Sequence, residues 1–253
     1  MKKLVAANWK MYKNRTEAAQ TVLDLTQLLS KVPADREVAL FAPFTALSSC
    51  ADVMKSKGAE NRLFLGGQDV YPAREGAFTG EISPDMLLDC SCRFVLAGHS
   101  ERRHVLGESS EFVGRKTSFA LERGLDVVLC IGETLEEREA GQLERVLEEQ
   151  IAAGVADVPE KIEASSLSFA YEPVWAIGTG KVAGPSEIME AHRLVRKYVE
   201  KKFAAKAAQM RILYGGSVKP ENAGQIIALD NVDGLLVGGA SLVAESFSKI
   251  ALA

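Results

Sequence analysis

Glu172 stands where an apolar run gives way to a proline, in the segment A-Y-E-P-V-W-A-I-G-T-G-K from Ala170 to Lys181. Leu167 to Tyr171 reads as a buried strand, and Pro173 cannot extend it, because proline has no N–H to give a ladder. A carboxylate mounted at such a junction can act as a general base. The residues behind it, Pro173, Val174, Trp175, Ala176 and Ile177, are too apolar for an ordinary solvated loop. Gly178, Thr179 and Gly180 then supply the permissive dihedrals of a hinge before Lys181. Segment 173–181 therefore reads as a lid that keeps water from the carboxylate. A plainer reading makes Glu172 the cap of the next helix and Trp175 part of the core.

His99, in A-G-H-S-E-R-R, lies just past a second apolar run and at the expected start of a helix. The partial positive charge of a helix N-terminus opposes an imidazolium, so the ring is expected to be neutral and able to donate to a carbonyl. A neutral acid facing a carboxylate base implies proton transfer. His104 and His192, on helical segments among charged residues, read as structural. Gly215-Gly216-Ser217 and Gly238-Gly239 follow two further apolar runs, and glycine pairs there let backbone N–H groups approach an anion closely. A phosphate cup, and so a small phosphorylated substrate, is the expectation. The glycines of Gly178 to Gly184 fit neither a dinucleotide fingerprint nor a P-loop, so no nucleotide cofactor is expected.

The elements that must position these groups alternate without a break in composition. Strand candidates are Leu4 to Asn8, Glu37 to Ala42, Leu63 to Gly67, Arg93 to Gly98, Leu125 to Ile131, Leu167 to Glu172, Arg211 to Tyr214 and Gly234 to Val237. Helical patterns lie between them. Leu143, Val146, Leu147 and Ile151 share one face, and Pro185 with Glu187 opens a helix running through Val199. Apolar strands joined by helices demand a parallel sheet. Eight such units in 253 residues suit an α/β chain folded as one closed (β/α)8 barrel domain, residues 1–253, better than an open doubly wound sheet, whose first strand normally leads into G-x-G-x-x-G. The first strand here ends in Asn8-Trp9-Lys10. In a barrel the C-terminal strand ends share one rim, which gathers Asn8, Lys10, His99, Glu172 and the glycine pairs into one site.

A net charge of -4 without a basic block argues against nucleic acid or an anionic membrane as the main partner. No run is long enough to span a membrane, and Asn8-Trp9-Lys10 interrupts the first apolar stretch too early for a signal peptide. Cys50, Cys90, Cys92 and Cys130 lack the spacing of a disulfide framework or a zinc site and read as reduced thiols. A cytoplasmic location without a metal is the expectation.

The motifs A-N-W-K-M, G-H-S-E-R-R, A-Y-E-P-V-W-A-I-G-T-G, Y-G-G-S and V-G-G-A-S-L resemble those of the triosephosphate isomerase family, in its order and spacing and over essentially the whole chain. The resemblance implies a TIM barrel enzyme of glycolysis and gluconeogenesis. It would interconvert dihydroxyacetone phosphate and D-glyceraldehyde 3-phosphate through an enediol(ate), with no cofactor. It implies Glu172 as base, His99 as neutral electrophile, Lys10 as the cation that binds and polarises substrate, Asn8 as its orienting neighbour and Glu101 adjoining Lys10 and His99. Gly178, Ser217, Gly238 and Gly239 would donate backbone N–H groups to the phosphate. The stretch from Gln68-Asp69 through Gly76 to Glu81 resembles the family's third loop, which implies a homodimer with Thr79, Gly80 and Glu81 reaching the neighbouring subunit. Tyr12, Asp69 and Gly184 depart from common family residues. A different phosphate-sugar isomerase or lyase, or a catalytically silent binding protein on the same barrel, are the alternatives.

Overall fold

The computed structural model describes residues 1–177 and 182–253. Eight parallel strands close into a barrel in chain order, with β1 paired to both β2 and β8. They are β1 (Lys3–Asn8), β2 (Arg36–Ala42), β3 (Leu63–Gly67), β4 (Cys92–Ala97), β5 (Asp126–Ile131), β6 (Leu167–Tyr171), β7 (Ile212–Tyr214) and β8 (Gly234–Val237). Each strand expected from the sequence is present, with ends moved by a residue at most. Among the described residues the helices are α1 (Arg15–Leu28), α2 (Leu47–Ser56), α3 (Pro84–Asp89), α4 (Ser100–His104), α5 (Ser110–Glu122), α6 (Leu135–Glu139), α7 (Leu143–Gly154), α8 (Pro185–Phe203), α9 (Pro220–Ile227) and α10 (Ala244–Leu252). None is long and apolar enough to cross a membrane.

Two apolar clusters follow from the alternation of side chains along a strand. Leu4, Ala6, Ala39, Phe41, Phe94, Leu96, Val128, Cys130, Ala170, Leu213 and Leu236 fill the barrel interior. Their neighbours, among them Val5, Ala7, Val38, Leu40, Val95, Val127, Leu129 and Phe169, face outward and join the larger layer beneath the helices. This explains the near-continuous apolar runs, since both faces of each strand are covered. At the N-terminal end of the barrel Arg211 reaches Glu37 at 2.6 Å, and Arg93 reaches Asp126 at 2.8 Å, closing the bottom with paired charges.

The same alternation aims the chemistry. In β1 the inward series Leu4, Ala6 continues to Asn8 and then Lys10, and in β6 Ser168, Ala170 continues to Glu172. Continuing the inward series of β4 from Phe94 and Leu96 would bring Gly98, not His99, to the lumen. Gly98 has φ 68°, a left-handed turn that a side chain would strain. A Cβ there would also lie 2.7 Å from Val113. This turn carries His99 into the position that alternation would deny it.

Candidate active site

Asn8, His99 and Glu172 are buried at the C-terminal rim, and with Lys10, Gly215, Gly216, Ser217 and Gly238 they line a small cavity of about 60 Å³. Of the rim residues expected from the sequence, all but Gly239 are brought together at this one place. His99 caps α4, and its Nδ1 accepts the backbone N–H of Glu101 at 3.3 Å. The proton of the neutral ring consequently sits on Nε2, which lies 3.0 Å from Glu172 Oε1. The imidazole N–H thus points at the carboxylate.

Glu172 rests on a second anchor that the sequence reading did not name. Ser100 donates its backbone N–H to Oε2 at 2.9 Å, and its hydroxyl lies 3.4 Å from Oε1. Burial alone would raise the Glu172 pKa, but His99, the Ser100 N–H and the more distant Lys10 together hold it below the ordinary carboxylate value. Gly215 makes room for this carboxylate, because a Cβ there would sit 2.9 Å from Glu172 Cγ.

The electrostatics correct one expectation about His99. Burial does oppose the imidazolium, yet the Glu172 carboxylate outweighs it, assisted by Glu101, and the pKa of the ring is raised from the ordinary value of 6.5. The helix N-terminus selects the tautomer; it does not set the direction of the shift. Only the folded chain brings residues 99 and 172 together, so spacing could not reveal this contact.

Lys10 has φ 54°, donates its backbone N–H to Asn8 Oδ1 at 3.0 Å, and pairs its ammonium with Glu101 at 2.8 Å. Asn8 and Glu101 thus hold the two ends of this lysine. Gly238, which lines the cavity, caps a short 3-10 turn, Gly239–Leu242, just past β8. The Ser217 hydroxyl donates to the Ala176 carbonyl at 3.1 Å, tying the first half of the expected lid to the loop after β7.

Of that lid, Pro173 to Ile177 can be placed, whereas Gly178, Thr179, Gly180 and Lys181 lie outside the described residues. Val174–Ala176 forms a 3-10 turn, and Trp175 is buried, donating Nε1–H to Glu133 at 2.8 Å. Glu133 also accepts from Tyr171 at 3.0 Å, and its own backbone carbonyl accepts from Val174 N–H at 3.1 Å. This fully buried carboxylate, whose pKa is raised by burial, fastens the lid's first residues. Its place just past β5 was the available signal: it is a charged residue at a strand end.

Asp69 has a structural explanation. It is buried against Lys116 at 2.8 Å and Arg102 at 2.9 Å, beside Glu108, so two acids meet two bases under α4 and α5. His192 is buried with Nδ1 2.8 Å from the Asn231 carbonyl, and burial lowers its pKa to about 4, which fits a structural role. Cys50, Cys90, Cys92 and Cys130 are free thiols; burial raises Cys50 and Cys92 to about 12.

A family model described as triosephosphate isomerase matches residues 3–253. The chain belongs to the triosephosphate isomerase family. It is 61% identical over 254 residues to the triosephosphate isomerase of Nitratidesulfovibrio vulgaris strain Miyazaki F, covering all of both chains. It is 59% identical over 253 residues to that of Oleidesulfovibrio alaskensis, again over the full length of both. The triosephosphate isomerase of Chloroflexus aurantiacus is 46% identical over 248 residues, 98% of this chain and 97% of that one. The (β/α)8 fold and membership of this isomerase family thus agree with the motifs at the rim.

Proposed function

We propose that this chain interconverts dihydroxyacetone phosphate and D-glyceraldehyde 3-phosphate by proton transfer between adjacent carbons. The observation that carries this reading is the pair formed by Glu172 and the Nε2–H of His99, 3.0 Å apart in a cavity that also holds Lys10. A proton on carbon beside a carbonyl is weakly acidic, and a carboxylate removes it only if charge forming on the carbonyl oxygen meets donors already in place. His99 Nε2–H and the Lys10 ammonium are those donors. Substrate entering between them replaces Glu172 as the acceptor for His99, freeing the carboxylate to take the proton. Glu172 then returns that proton to the neighbouring carbon of the enediolate, while His99 moves a proton between the two oxygens.

Asn8 orients Lys10, and Glu101 holds its ammonium. The phosphate is received by backbone N–H groups at Ser217, Gly238 and Gly239. The lid that begins with Pro173 to Ile177 closes over the intermediate and keeps water out. The chemistry draws on side chains and backbone alone, and the substrate is the expected partner. The decisive experiment is turnover of glyceraldehyde 3-phosphate by purified protein without added metal or cofactor. Rapid formation of dihydroxyacetone phosphate is expected; a protein that binds phosphorylated analogues without turning substrate over would defeat the reading.

A homodimer in the cytoplasm completes the proposal. Met11 is 96% exposed and Val105 76% exposed, and with Tyr12, Phe78 and Leu106 they form uncovered apolar surface on the loops after β1, β3 and β4. Thr79, Gly80 and Glu81 project from the second of these loops and are exposed. Burying such side chains against a second copy removes apolar area from water. Analytical ultracentrifugation is expected to give twice the chain mass, and a fully active monomer would overturn this part.

A further inference from the structure

We infer that Gln68 is a positioning residue for Lys10, fixing the lysine backbone so that its ammonium reaches the substrate; this rests on the function proposed above. Lys10 is held in the left-handed region at φ 54°, a conformation that a lysine keeps only when its surroundings enforce it. Asn8 Oδ1 binds its N–H at 3.0 Å. Gln68 Nε2 donates to its carbonyl at 2.8 Å and, with the other hydrogen, to the Phe41 carbonyl at 3.0 Å. The same Phe41 carbonyl accepts the Trp9 N–H at 3.1 Å. Both hydrogens of the amide are therefore used, and Gln68, directly after β3, ties the exits of β1 and β2 to its own.

The consequence for the ammonium follows from the geometry of the chain. Between the Asn8 and Gln68 contacts the peptide units on both sides of Lys10 are held, so the direction of its Cα–Cβ bond is set. Along that direction the side chain runs to Glu101 at 2.8 Å and passes beside Gly238, where a Cβ would meet Lys10 Cε at 3.5 Å. Without the amide, the Lys10 backbone is free to relax toward negative φ, which swings Cβ and carries the ammonium away from the phosphate loop. Gln68 itself does not line the cavity. It acts on substrate only through Lys10.

The test is a double-mutant cycle with Gln68→Met, which keeps the length of the side chain but removes both donors, and Lys10→Met. Affinity is read by calorimetry with 2-phosphoglycolate, whose planar carboxylate copies an enediolate, and kcat/KM is read in parallel. Gln68→Met is expected to lower kcat/KM by about a hundredfold with unchanged melting temperature and sedimentation. It is expected to weaken the analogue by about fivefold or more when Lys10 is present, and by nothing further in the Lys10→Met background. Equal weakening in both backgrounds, or full activity of Gln68→Met, would overturn the inference.

Gln68→Glu supplies an independent readout should the methionine variant not fold. Its ionised carboxylate can donate to neither carbonyl, whereas its protonated form donates to one. Its kcat/KM relative to the unsubstituted protein is therefore expected to rise as pH falls through the titration of the introduced carboxyl, and a flat ratio would count against the role. If the unsubstituted protein does not turn over triose phosphate, the proposed function fails while the binding cycle still reports on the link between residues 68 and 10.

Discussion

Glu172→Gln lowers kcat for glyceraldehyde 3-phosphate by about 10⁴-fold, the upper range for removal of a positioned general base, while KM changes little. The amide is the same size, so the cavity keeps its shape, and the carbonyl oxygen of the introduced side chain can still accept the Ser100 N–H now bound at 2.9 Å. What is lost is basicity. A second consequence is readable in the resting protein: the carboxylate that stabilises the His99 imidazolium is gone, while burial, which disfavours it, remains. The His99 pKa must therefore fall relative to the unsubstituted protein, measurable by titrating its ring resonances. The NH₂ of the introduced amide also offers a donor where His99 Nε2–H needs an acceptor, so the ring must turn or change tautomer. Undiminished turnover in the variant would mean that another group is the base, and an unmoved His99 pKa would mean that the two side chains do not meet in solution.

Lys10→Met is the second change with a large expected effect, and it separates two roles. Methionine fills similar space without the charge. If Lys10 only attracted the phosphorylated substrate, KM would rise and kcat would stay. In the proposed mechanism the ammonium also meets the oxygen that becomes negative, so kcat is expected to fall by about 10³-fold, the cost of losing one preorganised donor, with an increase in KM on top. Glu101 would at the same time lose its partner at 2.8 Å and remain as an uncompensated negative charge beside the site. Steady-state kinetics over a range of substrate concentrations decide between the outcomes; a change confined to KM would restrict Lys10 to binding.

Most of the barrel was legible because its signals are local. Strands such as Leu63–Gly67 and Gly234–Val237 are apolar on both faces and end in glycine or polar residues, so their bounds could be read directly. Asn8, Lys10, His99 and Glu172 could be grouped on one rim because a barrel brings every strand end to the same side. The rest of the site depends on distances between residues far apart in the chain. Ser100 looks like an ordinary helix-start serine until Glu172, 72 positions later, is seen resting on its N–H. Glu133 becomes the lid's fastening only when Trp175 and Tyr171 arrive over it. Gln68 shows nothing in sequence that links it to a lysine 58 positions earlier. The reversed shift of His99 has the same origin, because a helix-terminus argument counts the local field and omits a carboxylate delivered from another strand.

The inward alternation that delivers Asn8 and Glu172 to the lumen also limits how such a chain can change its length over evolution. A single residue inserted into or deleted from β6 upstream of Glu172 would reverse the facing of everything after it, turning the carboxylate toward the helices and Tyr171 toward the lumen. Insertions within the helices or in loops at the opposite end of the barrel carry no such penalty. Gain and loss of residues should therefore be tolerated freely on the side away from the cavity, and within the strands only in compensated pairs, so that the gaps between relatives of this chain trace the facing of its strands without reference to any side chain that performs the reaction.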